Sequence, residues 1–213
     1  MLLFFCIVIM LYFYLNNYCA GRLEGFEYSP NCEIIHKRGD FMLTDINAIE
    51  LAENLKKTEN RIDIIKIANE LGIKVFLTEE ISVPSFIAYD AESDCYEIYV
   101  NSKEPSTRKR FSIAHEIAHF ILHKDKINTF GIVGRQNSKS LSKAEEQAAD
   151  TLGAKILIPE KCAIEYLKYK GVGIEDIIGY NTILDFSKEF EVSLIAGAMR
   201  LRELGYYVGY IEV

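Results

Sequence analysis

The chain has 213 residues, of which 49% are hydrophobic and 26% are charged, and its formal net charge is −7 at neutral pH. This length and hydrophobic content suit one compact domain with its own core. No run of lysine and arginine is longer than Arg108-Lys109-Arg110, so direct binding to nucleic acid is not expected. The five cysteines are scattered and include no Cys-x-x-Cys pair, which indicates reduced thiols in the cytoplasm rather than disulfides.

Residues 1–41 differ in character from the rest of the chain. Residues 1–15 are apolar, but no basic residue precedes them, as one would in a secretory signal. As a helix they would span about 22 Å, which is short of the ~30 Å hydrocarbon core of a bilayer. Tyr12, Tyr14 and Tyr18 could extend that span at an interface. A membrane anchor and a misplaced start of translation therefore explain residues 1–15 about equally well. A cleaved signal explains them less well than either.

The globular domain is expected to occupy residues 42–213. The basic residues that follow the apolar segment are Arg22, Lys37 and Arg38. By the positive-inside rule they would keep an anchored protein on the cytoplasmic side. We therefore expect a cytoplasmic domain, either free or held at the membrane through residues 1–15.

From residue 42 onward, hydrophobic periodicity and turn residues predict a series of helices and strands. They are, in chain order, helix 44–57, helix 61–71, strand 73–77, a strand pair at 85–90 and 95–100, helix 107–123, a polar loop at 124–141, helix 142–157, helices near 160–169, 174–188 and 193–204, and a strand near 206–211. A hydroxyl of Ser106 or Thr107 is expected to cap helix 107–123. The order predicts an α+β fold, in which helices pack on a small, mainly antiparallel sheet.

Helix 107–123 contains the pattern His-Glu-x-x-His, formed by His115, Glu116 and His119. Two histidines four positions apart lie about 40° apart around a helix, so both imidazoles can point at one ion. Glu116 lies about 100° away from His115 and can reach a water on that ion without binding it. This is the arrangement of a zinc hydrolase, in which two histidines hold the metal and the glutamate is the general base.

The predicted helix 142–157 offers a third metal ligand. Glu146 and Asp150 are four residues apart and share one helix face. Catalytic zinc usually has three protein ligands, and Glu146 suits the third position. A carboxylate often braces a ligand histidine from its outer side, and Asp150 suits that role. Glu145 is the competing ligand, although it lies about 100° off that face. Zinc is preferred for a site of two histidines and one glutamate, but manganese and iron remain compatible with it.

His123 extends the histidine series by one more turn of the helix. A third histidine after this motif acts as a ligand where a glycine breaks the helix, and no glycine lies between His119 and His123. His123 is therefore interpreted as a residue of the helix C-terminus, or at most a neighbour of the ligands.

Two segments together resemble the ImmA/IrrE family of small zinc metallopeptidases: RFSIAHEIAHFILH and, after a loop, EQAADTLGAKILIP. IDIIKIANELGIKVF, YEIYVNS and FSKEFEVSLIAGAMRLRELG extend the likeness over about residues 44 to 210. The family usually has an acidic residue and a phenylalanine where this chain has Ala148 and Leu152. The resemblance implies that His115, His119 and Glu146 bind zinc.

The resemblance also implies a reaction and a partner. Glu116 would be the general base of peptide-bond hydrolysis, and Asp150 would support a ligand histidine. The substrate would be a DNA-binding repressor whose cleavage switches genes on.

Peptide hydrolysis also needs a hydrogen-bond donor to the oxyanion that forms on the scissile carbonyl. Tyr89, Tyr96 and Tyr99 are candidates, but each is better explained as a packing residue.

A non-proteolytic regulator is the alternative function. Such a protein would bind and sequester a repressor and keep zinc only as a brace. Residues 186–205 also have the pattern helix, turn, helix, but the second helix offers only Arg200 and Arg202 for contacts with bases. Structural zinc usually has four ligands rich in cysteine, and this chain shows three evident ligands beside an intact Glu116, which favours hydrolysis.

Overall fold

The computed structural model describes residues 45–54, 56–58, 61–133 and 141–209. The predictions for residues 1–41 concern a segment outside these ranges. Within them, no helix combines the length and the apolar character needed to cross a membrane.

The described residues form seven helices and eight strands, which confirms the predicted α+β class. In chain order they are α1 (Asp45–Asn54), β1 (Lys56–Thr58), β2 (Arg61–Ile62), α2 (Ile64–Glu70), β3 (Ile73–Thr78), β4 (Ser85–Asp90), β5 (Cys95–Asn101), α3 (Ser106–Phe130), β6 (Ile132–Val133), α4 (Lys143–Leu157), α5 (Glu160–Tyr169), β7 (Ile177–Ile178), α6 (Tyr180–Glu189), α7 (Leu194–Glu203) and β8 (Tyr207–Val208).

The main sheet has four strands in the order β3-β5-β4-β6. β4 and β5 form the predicted antiparallel pair, and β6 adds to the other side of β4, also antiparallel. Among the described strands of this sheet, β3 and β5 are the parallel pair. In the turn between β4 and β5, the Asp90 carboxylate accepts the Glu92 backbone N–H, and Asp94 has a positive φ of 50°. An aspartate tolerates both roles well, so these residues favour a tight turn.

Two predicted helices begin later than expected. The segment 61–71 starts with strand β2, and α2 begins after Asp63, whose side chain accepts the Lys66 backbone N–H at 3.2 Å. A carboxylate that caps the first turn sets the start of a helix more firmly than periodicity does. In the segment 174–188, strand β7 likewise comes first, and helix α6 begins only at Tyr180. β7 pairs in parallel with β8.

The helix that carries the His-Glu-x-x-His pattern is longer than predicted. α3 continues to Phe130, so the predicted loop at 124–141 is wrong over its first seven residues. Gly131 ends the helix with a φ of 73°, and its N–H bonds the Ile127 carbonyl at 2.8 Å. The expected hydroxyl cap at the other end is also wrong, because the N-cap is Pro105 and makes no side-chain hydrogen bond.

α3 and α4 lie in close contact, and a glycine permits it. A Cβ atom at Gly153 of α4 would come within 3.2 Å of the His115 backbone nitrogen and 3.3 Å of the Ala114 carbonyl. Such distances are shorter than ordinary packing contacts. The missing side chain therefore lets α4 approach the backbone of α3 next to the histidines.

The pair α6 and α7 packs on the core, and of the two arginines on its second helix Arg202 is exposed whereas Arg200 is buried. Arg200 is only 5% exposed, and its Nε donates to the Ile158 carbonyl at 3.0 Å. Its Nη1 donates a hydrogen bond to the Glu203 carboxylate at 3.1 Å. The side chain is thus used inside the fold, whereas DNA recognition needs exposed polar groups on the second helix.

Candidate metal centre

The two histidines of the pattern face each other on the buried side of α3. The Nε2 atoms of His115 and His119 are 2.9 Å apart, and both residues are fully buried. The helical spacing of four residues is the direct cause of this approach. Burying two imidazoles side by side is costly unless their nitrogens have partners, and a shared cation would provide one.

Glu146 reaches the same point from α4. Its Oε2 lies 3.5 Å from His115 Nε2, and its Oε1 lies 3.6 Å from His119 Nε2. One ligand atom from each of the three side chains lies within 4.8 Å of the others, so His115, His119 and Glu146 could hold a metal ion. Two nitrogens and a carboxylate match the donor set of many catalytic metal sites, so the residues fit such an ion chemically.

Asp150 stands one turn further along α4, beside the outer nitrogen of a histidine. Its Oδ1 is 2.9 Å from His115 Nδ1. A carboxylate at this distance favours the tautomer in which Nδ1 carries the proton and Nε2 presents its lone pair, although the two atoms are close without being aligned as a hydrogen bond. The sequence pattern predicted a braced histidine, and the structure brings His115 to this carboxylate.

Glu145, the competing ligand in the sequence, points away from the histidines. Its carboxylate contacts Lys126 Nζ at 2.7 Å and forms a capping box with Ser142 at the start of α4. These partners lower the pKa of Glu145 to about 2, with the hydrogen bond from Lys126 as the largest cause and those from Ser142 next. The same contacts fix the first turn of α4, from which Glu146 faces the histidines.

Glu116 is fully buried, and a serine from the sheet holds it. Ser85 Oγ donates to Glu116 Oε1 at 2.7 Å, and Ser85 is only 2% exposed. Sequence reasoning missed this residue. The available signal was alternation, because Ser85 and the buried Ile87 share one face of β4.

His123 lies at a kink where the first part of α3 ends and a second helical part begins, and it is a neighbour of the ligand histidines, which is one of the two roles expected for it. Its φ of −134° and ψ of 27° mark a kink in the helix. His123 Nδ1 is 3.1 Å from Nδ1 of His119. Burial lowers the pKa of His123.

The three candidate tyrosines have acceptors away from the histidines. The pairs are Tyr89 with Asp94 at 2.6 Å, Tyr96 with Asn128 at 2.5 Å, and Tyr99 with Glu97 at 2.7 Å. Their rings also stack or tilt against neighbouring aromatic rings of the sheet and of α3. These contacts favour packing roles over donation to an oxyanion.

A second group of possible ligands lies in the described ranges at the turn between β4 and β5. It consists of Asp90, Cys95 and Glu97. The Ser93 hydroxyl contacts Asp90 at 2.5 Å and the Cys95 sulfur at 2.8 Å, and Lys74 lies 3.7 Å from Glu97. A hydroxyl and an ammonium group thus already engage these side chains, which favours a structural role.

A small α+β domain with His-Glu-x-x-His on one helix and a glutamate on a second defines a metallopeptidase type of protein. The comparisons agree. The model of a peptidase family described as the IrrE N-terminal-like domain matches residues 68–202. The chain belongs to this family, which confirms the resemblance to ImmA/IrrE proteins found in the sequence.

The chain is also similar to one curated protein and aligns with one solved structure. The chain is 27% identical over 144 residues to Metallopeptidase ImmA of Bacillus subtilis (strain 168), which covers 67% of this chain and 82% of that protein. Among solved structures, a Mycobacterium tuberculosis transcriptional regulator aligns with a TM-score of 0.48 and 14% identity over 74% of this chain. The alignment covers 46% of that regulator, so this chain spans less than half of its length.

Proposed function

We propose that the chain is a zinc-dependent endopeptidase and that His115, His119 and Glu146 are the metal ligands. The convergence of these three side chains beside the buried Glu116 is the observation that carries the proposal. Zinc is preferred because two histidines, one glutamate and a position open to water form a common catalytic zinc site. The family supports the class of activity.

The protein residues divide the work of hydrolysis between them. When bound, zinc supplies Lewis-acid polarisation of the scissile carbonyl and lowers the pKa of water at the site. Glu116 accepts the proton of that water on its carboxylate and later donates it to the nitrogen of the leaving amine. Ser85 holds Oε1 of Glu116, so the side chain keeps one orientation through both transfers. Asp150 keeps His115 in the tautomer that a metal requires.

We also propose that the substrate is a DNA-binding repressor and that its cleavage induces genes. The resemblance to ImmA/IrrE proteins supports this partner. The burial of Arg200 is consistent with this partner, because it leaves Arg202 as the one exposed arginine of α7 for contact with DNA. The net charge of −7 fits the same view.

The test uses the full chain and a helix-turn-helix repressor encoded beside its gene. We expect mass spectrometry to find one or a few defined cuts and an electrophoretic mobility assay to show loss of DNA binding by the repressor. Glu116→Gln should keep the metal and lower the cleavage rate by 10²-fold or more, because general-base catalysis contributes typically 10²–10⁴-fold.

The same experiment separates the alternative regulator from the enzyme. A non-proteolytic protein would release the repressor from DNA without cutting it, and Glu116→Gln would do so as well as the wild type. That result would overturn the peptidase proposal. Cleavage by Glu116→Gln at the wild-type rate would overturn the assignment of the base.

A further inference from the structure

His119 has a partner on its outer ring nitrogen, and that partner is another histidine. Its Nε2 faces His115 and Glu146, whereas its Nδ1 lies 3.1 Å from Nδ1 of His123. The two ring nitrogens of His115 also face different groups: Nε2 faces Glu146 and His119, and Nδ1 lies 2.9 Å from Asp150. Each histidine of the pattern thus presents one nitrogen to the centre and has the other one held from outside.

We propose that His123 is a positioning residue that holds His119 in its metal-binding tautomer by accepting a hydrogen bond from Nδ1. The inference rests on the proposed metal site. A neutral imidazole that binds a metal through Nε2 carries its proton on Nδ1, so His119 Nδ1 is the donor. His123 Nδ1 is then the acceptor, and its own proton lies on Nε2. The hydrogen bond fixes both the tautomer and the rotation of the His119 ring.

The fold holds His123 in place for this role. The helix kinks at His123 but continues for seven more residues. Beyond the kink, Ile127 is fully buried in the core, and Lys126 Nζ lies 2.7 Å from the carboxylate of Glu145 on α4. The last part of α3 is therefore fixed to its surroundings, and His123 is held from both sides along the chain.

The two outer supports differ in chemistry. His115 has a carboxylate at 2.9 Å, whereas His119 has an imidazole at 3.1 Å. The imidazole acceptor orients His119 without adding a negative charge beside the centre. We expect its loss to weaken metal binding by about 10- to 100-fold, the usual effect of removing an outer support.

A matched pair of variants tests the hydrogen bond. In His123→Asn, the side-chain oxygen lies three bonds from Cα, as Nδ1 does in histidine, so an acceptor is retained. His123→Leu has a carbon at that position and similar bulk. The readout is the zinc dissociation constant of the full chain, measured by competition with a fluorescent chelator. We expect roughly wild-type affinity for the asparagine variant and the loss of about 10- to 100-fold only for the leucine variant.

Three outcomes are decisive. Equal affinity in wild type and His123→Leu would overturn the inference and leave the proposed function intact. Equal losses in both variants would also overturn it, because packing or direct ligation by His123, and not acceptance of a hydrogen bond, would then be responsible. Absence of tight zinc binding in the wild type would overturn the proposed function itself and the inference with it.

A second measurement needs no variant. In the zinc-loaded full chain labelled with ¹⁵N-histidine, nuclear magnetic resonance distinguishes protonated from unprotonated ring nitrogens. We expect a proton on His119 Nδ1 and on His123 Nε2. A proton on Nε2 of His119 would contradict the proposal even if the leucine variant failed to fold.

Discussion

The hydroxyl of Ser85 donates a 2.7 Å hydrogen bond to the carboxylate of Glu116, and neither residue is more than 2% exposed. The contact joins strand β4 to helix α3 across 31 positions of the chain. A buried carboxylate is stabilised in its charged form by such a donor. The sheet therefore takes part in orienting the residue proposed as the general base.

Loss of this hydroxyl should slow catalysis while the metal site stays filled. Hydrogen bonds to charged groups contribute about 1.5–3 kcal/mol, so Ser85→Ala should lower kcat by roughly tenfold or more and change KM little. Steady-state kinetics on the cleaved substrate and the zinc content of the variant measure both effects. Ser112→Ala, which removes another buried hydroxyl from α3, is the control and should leave kcat nearly unchanged. Equal kcat in wild type and Ser85→Ala would remove Ser85 from the mechanism.

Adjacent glutamates on α4 should behave differently when each is removed. Glu146→Ala should bind zinc at least 100-fold more weakly, because it removes one of three proposed ligands. Glu145→Ala should keep the zinc affinity within a few-fold and lower the melting temperature, since it breaks the capping box and the contact with Lys126. Chelator competition and thermal unfolding of both variants provide the comparison. Zinc lost from Glu145→Ala and retained by Glu146→Ala would reverse the assignment.

A methyl group at Gly153 should separate α3 from α4. Its Cβ would lie 3.2 Å from the His115 backbone nitrogen, so the two helices must shift apart. We expect Gly153→Ala to lower the free energy of unfolding by about 1–3 kcal/mol, as overpacking of a core typically does, and to weaken zinc binding. Gly179→Ala is the control, because nothing lies within 4 Å of its added Cβ. Denaturant unfolding of both variants measures the effect. Unchanged stability of Gly153→Ala would show that the helices adapt to the methyl group.

The turn between β4 and β5 should contribute a pH-dependent part of the stability. The pKa of Asp90 is lowered from its usual value of 3.8, mainly by the hydrogen bond from Ser93 and further by the Glu92 backbone N–H. A carboxyl whose pKa is lower in the folded state stabilises the fold above pH 3.8, and this contribution disappears as the pH falls through the lower folded pKa.

The corresponding variant is Asp90→Asn. Its melting temperature should be below that of the wild type at pH 6, and the difference should shrink steadily below about pH 4. Glu92→Gln removes a charge from the same turn and should show a smaller difference at pH 6. A gap between wild type and Asp90→Asn that stays constant from pH 6 to pH 2 would exclude the charge of Asp90 as its source.

Features set by local spacing could be predicted from the sequence. The four-residue spacing of His115 and His119 and of Glu146 and Asp150 fixes which side chains share a face, and alternation fixes the β4–β5 pair. The helical spacing also predicts that Glu146, and not the competing Glu145 about 100° away, faces the histidines. The structure resolves that geometry through Ser142 and Lys126, which engage Glu145.

Features set by contacts distant in the chain could not be predicted in this way. Between His123 and Thr129, where the side chains are described, Ile127 is the one fully buried apolar residue among polar neighbours, so periodicity gives little sign of this extension. The partnership of Ser85 with Glu116 depends on how the sheet packs against α3. The hydrogen bond between His119 and His123 depends on helical spacing and on a kink at His123 that the sequence does not signal.

The zinc content of the 213-residue chain shows whether His115, His119 and Glu146 form a metal site. Inductively coupled plasma mass spectrometry on the wild type and His119→Ala, purified without added metal, gives the number of zinc ions per chain. We expect about one zinc in the wild type and almost none in the variant, since His119 supplies one of three proposed ligands. A folded wild type without metal, or equal zinc in both proteins, would contradict the assignment of His115, His119 and Glu146 as a zinc site.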